Sequence, residues 1–289
     1  MATSIIELDR VECGYGEHTV LKDISFTVDE PGYICVIGPN GVGKSTLIRV
    51  ITGLIDVKSG AVRINDKPLS DYSRKEQARI IGYVPVMSSD FNIMSVLDTV
   101  LIGRYVRQKW RTTQADIDVA YKALRAMEIE GLANKRFNEL SAGQRQKVSL
   151  ARGLIQEPQI LMLDEPTANL DVRHQIYVSS FLKELASRTG MTVFTVSHDL
   201  NLAAKYADTV VVMKKPGVLY GIGTPKEMIT KEMIEEVYEV DCDITDDRGT
   251  PHVVLQEVLG REEYRATVCY DAVDKPCIFK SGLGMLSAV

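Results

Sequence analysis

A glycine-rich segment carries the residues best suited to bind phosphate. Gly38, Gly41 and Gly43 would let consecutive backbone N–H groups turn inward at a helix N-terminus and cradle phosphate oxygens. The segment lies between an apolar run at 33–37, typical of a buried parallel strand, and a helical pattern that ends at Gly53. We therefore predict a nucleotide site formed by Gly38, Pro39, Asn40, Gly41, Val42, Gly43, Lys44, Ser45 and Thr46. The loop alone does not distinguish ATP from GTP.

Four polar residues could act on a bound triphosphate. Lys44 would reach the β- and γ-phosphates, and the Ser45 hydroxyl would ligate Mg²⁺. Asp164 ends an apolar strand predicted at 159–163 and would hold a carboxylate beside the metal. Glu165 follows at once and could orient or deprotonate a water molecule. The alternative is an acidic pair that caps a strand at the surface, which the phosphate loop makes less attractive.

A second phosphate-facing motif precedes this acidic pair, at Leu140-Ser141-Ala142-Gly143-Gln144. Ser141 is a good helix N-cap, and Gly143 allows close approach of a ligand. Taken alone, the segment is an ordinary helix start. It is too far along the chain from the phosphate loop to share one nucleotide easily, which suggests that two copies of the chain meet head to tail.

The remaining pattern indicates an α/β fold. Strands that alternate with helices favour a parallel sheet with right-handed crossovers. Residues at helical spacing (Ile117, Ala120, Tyr121, Leu124 and Met127) predict a core-facing stripe in a helical lobe over about 86–157. After Asp164-Glu165 we predict a helix whose inward face carries Ile176, Phe181, Leu182 and Leu185. Residues 232–238 should form a short amphipathic helix, and residues 253–255 should form a strand.

Composition excludes some functions. The net charge is −5 with no basic block, so nucleic acid is not expected as a partner. Five cysteines without metal-type spacing indicate reduced thiols. No apolar run approaches the roughly 20 residues of a membrane-spanning helix, and no secretion signal is visible. Any role at a membrane would therefore be carried out from the cytoplasm through partners.

Taken together, these motifs resemble the nucleotide-binding subunit of an ATP-binding-cassette (ABC) transporter. The resemblance implies a P-loop NTPase core with a mainly parallel sheet, an N-terminal antiparallel β subdomain and an inserted helical lobe. It implies ATP and Mg²⁺ as cofactors. Each ATP would lie between the phosphate loop of one copy and Ser141, Gly143 and Gln144 of the other.

The same resemblance assigns roles to three further residues. His198 would contact the γ-phosphate and help Glu165 in catalysis, whereas His18, His174 and His252 are taken as ordinary side chains. Asp171 belongs to a segment that communicates across the dimer. Tyr15 would stack on adenine, with a packed turn aromatic as the alternative.

One position departs from the family. After Tyr-Val-Pro the family carries a glutamine that reaches the metal or water, whereas this chain has Val86. Valine can neither ligate Mg²⁺ nor donate a hydrogen bond. Either the metal keeps an extra water there, or hydrolysis and its coupling to transport are weakened.

The segment 95–104 resembles ATPases of importers for iron–siderophore complexes, haem and vitamin B12, a group that includes molybdate and tungstate importers. This implies a transmembrane permease as partner, an extracytoplasmic substrate-binding protein acting indirectly, and a peripheral position on the cytoplasmic face of the membrane. A poorly hydrolysing nucleotide-binding module, a soluble cassette protein acting on DNA or ribosomes, and an exporter ATPase are the alternatives. We expect one ATPase domain over 1–258 and a tail of unknown role over 259–289.

Overall fold

A computed structural model describes residues 4–86, 93–107 and 112–259, together with the backbone of 269–270 and 276–277. The predicted tail over 259–289 therefore lies almost entirely outside the described residues, and the side chains of Cys269 and Cys277 are not described. Within the described part, Cys13, Cys35 and Cys242 are free and buried.

The chain alternates strands and helices over most of its length. The strands are β1 (Ile6–Tyr15), β2 (His18–Val28), β3 (Tyr33–Ile37), β4 (Ser59–Ile64), β5 (Lys67–Pro68), β6 (Ile81–Val84), β7 (Ile160–Asp164), β8 (Thr192–Val196), β9 (Thr209–Lys214), β10 (Val218–Gly223), β11 (Val240–Asp247), β12 (Thr250–Val258), β13 (Cys269–Tyr270) and β14 (Pro276–Cys277). The helices are α1 (Lys44–Ile51), α2 (Arg74–Ile80), α3 (Val96–Leu101), α4 (Gln114–Ala126), α5 (Ala142–Leu154), α6 (Val172–Thr189), α7 (Leu200–Tyr206), α8 (Pro225–Met228) and α9 (Lys231–Tyr238). Short 3₁₀ helices span Leu69–Asp71, Ile102–Arg104, Glu130–Leu132 and Phe137–Glu139.

The central sheet brings the carboxyl ends of its inner strands to one edge. Its order is β10-β9-β3-β8-β7-β6, and only β10 runs antiparallel to its neighbour. Every residue of β3, β7 and β8 is buried, as expected for strands covered on both faces. The phosphate loop, Asp164-Glu165 and His198 follow these three neighbouring strands. Sheet topology therefore gathers the motifs that the sequence separates.

The N-terminal strands form a second, antiparallel sheet in the order β2-β1-β4-β5. Its buried side chains, including Ile6, Leu8 and Ile24, pack with α1 and one face of the central sheet in a single apolar core. The expected antiparallel subdomain is thus present, and it holds the end of β1 beside the last turn of α1.

A helical insert separates β6 from β7. The predicted stripe of α4 faces a second apolar core, in which Ala120, Leu124 and Met127 are fully buried. In α6 the inward face carries Val178, Leu182 and Ala186. Ile176 was predicted to point inward and instead has 44% of its surface exposed. The prediction was wrong because two residues of helix turn a side chain about 200° away from Val178.

The C-terminal elements pack on the far side of the central sheet. Helices α7 and α9 and the β11–β12 hairpin share a third core around Met233, Ile234 and Cys242. Asn201 joins α7 to the hairpin, because its side chain donates to the Val253 carbonyl at 3.2 Å and accepts from the Val253 N–H at 2.8 Å. No helix among the described residues is long and apolar enough to cross a bilayer.

Candidate functional site

The phosphate loop follows β3 and delivers its residues to the first turn of α1. Gly38, Gly41 and Gly43 have φ values of 149°, 76° and 103°, which L side chains rarely adopt. At Gly38 space is limiting too, because an added Cβ would lie 2.3 Å from the Met213 carbonyl oxygen. The loop is therefore held open by backbone conformations that only glycine accepts easily.

Lys44 is the buried cation of this loop. Its ammonium donates to the carbonyls of Gly38 at 2.7 Å and Pro39 at 2.8 Å. Burial lowers the pKa of Lys44, and the nearby carboxylates of Glu165 and Asp164 oppose that shift. A bound polyphosphate would replace two neutral carbonyl partners by anionic oxygens, which form stronger hydrogen bonds with an ammonium.

Ser45 and Asp164 meet at the sheet edge. The Ser45 hydroxyl donates to Asp164 Oδ1 at 2.9 Å. Burial raises the pKa of Asp164, the Ser45 hydrogen bond lowers it, and the Glu165 carboxylate raises it further. A hydroxyl and a buried carboxylate are hard oxygen donors that suit Mg²⁺. The described residues contain no cluster of three or more His, Cys, Asp or Glu that could hold a metal, so phosphate and water oxygens would have to complete its coordination.

Glu165 and His198 form a pair over the phosphate loop. The two side chains meet at 2.5 Å between His198 Nε2 and Glu165 Oε1. Glu165 has φ 51°, an unusual backbone conformation for a non-glycine residue and a common one at functional sites. Because it lies one residue past Asp164, it leaves the strand in a different direction and faces the loop.

These side chains line one open cavity of about 210 Å³. Its walls are formed by Val20, Asn40, Gly41, Gly43, Lys44, Ser45, Thr46, Glu165 and His198. Thr46 and the neighbouring Val42 are both buried. Val20 is the wall residue that sequence reasoning missed. Val20 packs closely against Gly43, where an added Cβ would lie 3.0 Å from Val20 Cγ1 and 2.8 Å from Leu21 Cδ2.

The second motif lies apart from that cavity. The Ser141 hydroxyl caps α5 by accepting from the Gln144 N–H, and Gln144 Oε1 in turn accepts from the Ser141 N–H. Gly143 packs against the segment before α6, since an added Cβ would lie 3.3 Å from the Asn169 carbonyl oxygen. The described residues that line the phosphate cavity do not include Ser141, Gly143 or Gln144.

Asp171 serves as the N-cap of α6. Its carboxylate accepts from the His174 N–H at 2.9 Å and contacts His174 Nδ1 at 2.7 Å. These bonds lower the pKa of Asp171. The exposed apolar side chains of Val172 and Ile176 follow it on the surface of α6. The segment is thus an ordered helix start bordered by apolar surface.

Tyr15 ends β1 and is half exposed. Its hydroxyl accepts from Arg49 Nη1 at 3.0 Å, and Arg49 also interacts electrostatically with Tyr83, in the strand that leads to Val86. Sequence reasoning missed Arg49, which has no motif signal beyond its place in the last turn of α1. Val86 is exposed, so the residue that replaces the family's glutamine is not part of the core.

The site combines a glycine-rich loop after a parallel strand with an acidic pair and a histidine at the same sheet edge. This combination defines a nucleotide-binding cassette of the P-loop class. A sequence profile described as "ABC transporter" matches residues 21–168. The chain belongs to the ATP-binding-cassette transporter family, whose ATP-binding subunits are ATPases.

Two relatives illustrate the similarity. The ferric enterobactin transport ATP-binding protein FepC of Escherichia coli is 37% identical over 269 residues, which is 90% of this chain and 97% of FepC. The hemin import ATP-binding protein HmuV of Thermobifida fusca is 35% identical over 245 residues, or 85% of this chain and 84% of HmuV. Both therefore match nearly end to end.

Two solved structures share the fold. One is a transporter provisionally classed as metal-chelate type, in an inward-facing conformation. It matches with a TM-score of 0.74 and 27% identity, over 88% of this chain and 98% of that one. The other is the dimeric bacterial cassette MJ0796, with a TM-score of 0.68, 28% identity, and coverage of 76% and 98%.

Proposed function

We propose that this chain is the ATP-hydrolysing subunit of an importer that takes up a metal chelate. The observation that carries the proposal is the cavity in which Lys44, Ser45, Glu165 and His198 meet at one sheet edge. The cargo class is supported by relatives whose names refer to ferric enterobactin and hemin. Molybdate or tungstate is the second cargo class, because the segment 95–104 also resembles importers of those oxyanions.

ATP would bind with its phosphates on the N–H groups of the loop at the start of α1. Lys44 would exchange the carbonyls of Gly38 and Pro39 for β- and γ-phosphate oxygens. Ser45 and Asp164 would hold Mg²⁺, which when bound supplies charge neutralisation of the phosphates. A cation would also compensate the buried Asp164 carboxylate, whose charge is disfavoured without one.

Glu165 and His198 are placed to handle the attacking water. Each side chain has the other as its partner. When a γ-phosphate enters, we expect His198 to turn to its oxygens and Glu165 to accept a hydrogen bond from water, which it can orient or deprotonate. Tyr15 would contact the base, since its half-exposed ring lies at the end of β1.

The second half of each site would come from another copy of the chain. Ser141 and Gly143 lie outside the cavity of their own chain, while Val172 and Ile176 expose apolar surface next to Asp171. A head-to-tail dimer would bring Ser141 to the partner's γ-phosphate and cover this surface. The dimeric MJ0796 cassette supports such an arrangement.

The permease would dock on the helical insert from the membrane side. Exposed apolar side chains occur here at Val86, Ile93 and Tyr105, the last with 80% of its surface exposed. Apolar residues of this kind favour a protein partner. The chain would then act at the cytoplasmic face, with an extracytoplasmic substrate-binding protein delivering cargo to the permease.

Glu165→Gln tests the proposal. The binding groups remain while the base is lost, so ATP with Mg²⁺ should trap a stable dimer and turnover should fall by a factor of ~10² to 10⁴. Size-exclusion chromatography and phosphate release measure the two effects. Glu184→Gln, which alters an exposed pair with Arg188, is the matched control and should behave as wild type.

Turnover by Glu165→Gln at the wild-type rate would refute the assignment of the base. The alternative function, a nucleotide-binding module that hydrolyses poorly, is favoured only by Val86. It predicts that wild type binds ATP but releases no phosphate, with or without the permease. The same phosphate-release assay therefore decides between the two.

A further inference from the structure

Arg49 joins two tyrosines that belong to different sheets. It lies in the last turn of α1, the helix that starts at Lys44. Its Nη1 donates to the Tyr15 hydroxyl at 3.0 Å, and the guanidinium also faces the Tyr83 hydroxyl and interacts with it electrostatically. Tyr15 ends β1 of the N-terminal sheet, whereas Tyr83 lies in β6 of the central sheet. A planar guanidinium can hold two such partners because its donors are arranged as a fixed fork.

These contacts fix the Tyr15 ring from one end. The hydroxyl is bound by Arg49, while 49% of the residue surface stays exposed. The strand that carries Tyr15 is paired through Tyr15 and His18 with β2, whose Val20 lines the phosphate cavity. The ring is therefore tethered to α1, the helix that starts at Lys44, with its surface still accessible to a ligand.

A tethered ring loses less conformational freedom when a base stacks on it. Ordering a free side chain on binding costs affinity, and restricting that side chain beforehand removes part of the cost. The interaction of Arg49 with Tyr83 would restrict the Tyr15 side chain further. Tyr83 is anchored in the central sheet and would keep Arg49 from following Tyr15 into solvent.

We propose that Arg49 is a positioning residue for recognition of the nucleotide base, and that it acts by holding Tyr15 against the Tyr83 anchor. The inference rests on the proposed function, in which Tyr15 contacts the base. It assigns to α1 two tasks at its two ends: Lys44 binds phosphate, and Arg49 prepares the base platform.

A cation at the C-terminal end of a helix is also favoured by the helix dipole, which offers a purely structural role for Arg49. Arg49→Lys keeps the charge at that end but replaces the fork by a single ammonium. Arg49→Met removes both. The two variants therefore separate the dipole from the fork.

The experiment compares ATP with inorganic tripolyphosphate, which has phosphates but no base. Arg49→Met should weaken ATP binding about three- to tenfold more than it weakens tripolyphosphate binding, the factor that one hydrogen bond of ordinary net strength accounts for. Any loss that comes from removing the Arg49 charge near Asp164 is common to both ligands. In hydrolysis the KM for ATP should rise while kcat stays constant. Arg49→Lys should lie between wild type and Arg49→Met. Arg63→Met, which breaks an ion pair with Glu7 in the N-terminal sheet, is the control and should change neither affinity.

Tyr15→Phe and Tyr15→Ala complete the test. Tyr15→Phe keeps the ring and loses the tether, so it should match Arg49→Met, and the two changes together should weaken binding no further than either alone. Equal losses for ATP and tripolyphosphate in Arg49→Met, or wild-type behaviour of Arg49→Lys, would overturn the positioning role. If Tyr15→Ala lowers ATP affinity but Arg49→Met does not, only this inference fails. If Tyr15→Ala changes nothing, the base contact itself is refuted, and the positioning role with it.

Discussion

Replacing Asp164 by asparagine should separate what this carboxylate does for folding from what it does for ligand binding. The residue is 2% exposed, and burial raises its pKa. An acid whose pKa is higher in the folded state stabilises the fold below its unfolded pKa, and that contribution is lost as pH rises through the folded value. At neutral pH the ionised Asp164 therefore costs stability.

The size of the effect follows from two opposing contributions. Asparagine still accepts from Ser45, but a hydrogen bond to a charged group is stronger than a neutral one by about 1 kcal/mol, which is lost. The penalty for holding a buried ion is several kcal/mol, of which the charges of Arg49 and Lys44 offset a part. We expect metal-free Asp164→Asn to gain about 1–2 kcal/mol, or a Tm higher by about 2–8 °C at about 2–4 °C per kcal/mol.

Ligand binding should respond in the opposite direction. For wild type, Mg·ATP at a hundred times its Kd adds about 2.7 kcal/mol of stability. Asp164→Asn should retain a shift with ATP alone, because Lys44 and the loop are intact. It should lose the additional shift that Mg²⁺ gives wild type. Thermal melts with and without ATP, Mg²⁺ and a chelator measure all of these quantities.

Asp116→Asn is the matched control with the opposite sign. Hydrogen bonds from Thr113 and the ion pair with Arg104 at 3.0 Å lower the pKa of Asp116, so its charge stabilises the fold. This variant should melt below wild type and keep its response to Mg²⁺. A metal-free Asp164→Asn that melts lower than wild type, or that still responds to Mg²⁺, would refute the reasoning.

Two further predictions concern the loop and the departure from the family. Gly38→Ala should lower the free energy of unfolding by about 3 kcal/mol or more, through backbone strain and the clash with the Met213 carbonyl. Gly41→Ala has open space around it and should cost only about 1–2 kcal/mol. Equal costs in urea unfolding would contradict this. Val86→Gln should raise, or at least not lower, permease-coupled phosphate release, and a sharp loss would mean that valine is an adapted feature of this chain.

The central sheet and its motifs could be predicted from the sequence because both depend on short-range pattern. Continuous apolar runs such as 33–37 and 192–196 have few alternatives to a buried parallel strand. Parallel strands place their carboxyl ends at one edge, so Lys44, Asp164 and His198 had to converge once the strands were assigned. The family resemblance added the roles that pattern alone leaves open.

The elements that escaped prediction depend on what lies across from them. The sequence does not predict a strand over 241–247, because the segment is rich in Asp, a residue that is uncommon in strands. In the structure the segment is part of β11, and Cys242 is its buried residue. Its pairing with β12 and the Lys231–Asp241 ion pair at 2.7 Å compensate for that preference. Arg49 escaped for the same reason. Its place in a helix is local information, but its two partners lie 34 residues before and 34 residues after it, on two sheets, and only the packed fold brings them within reach of one side chain.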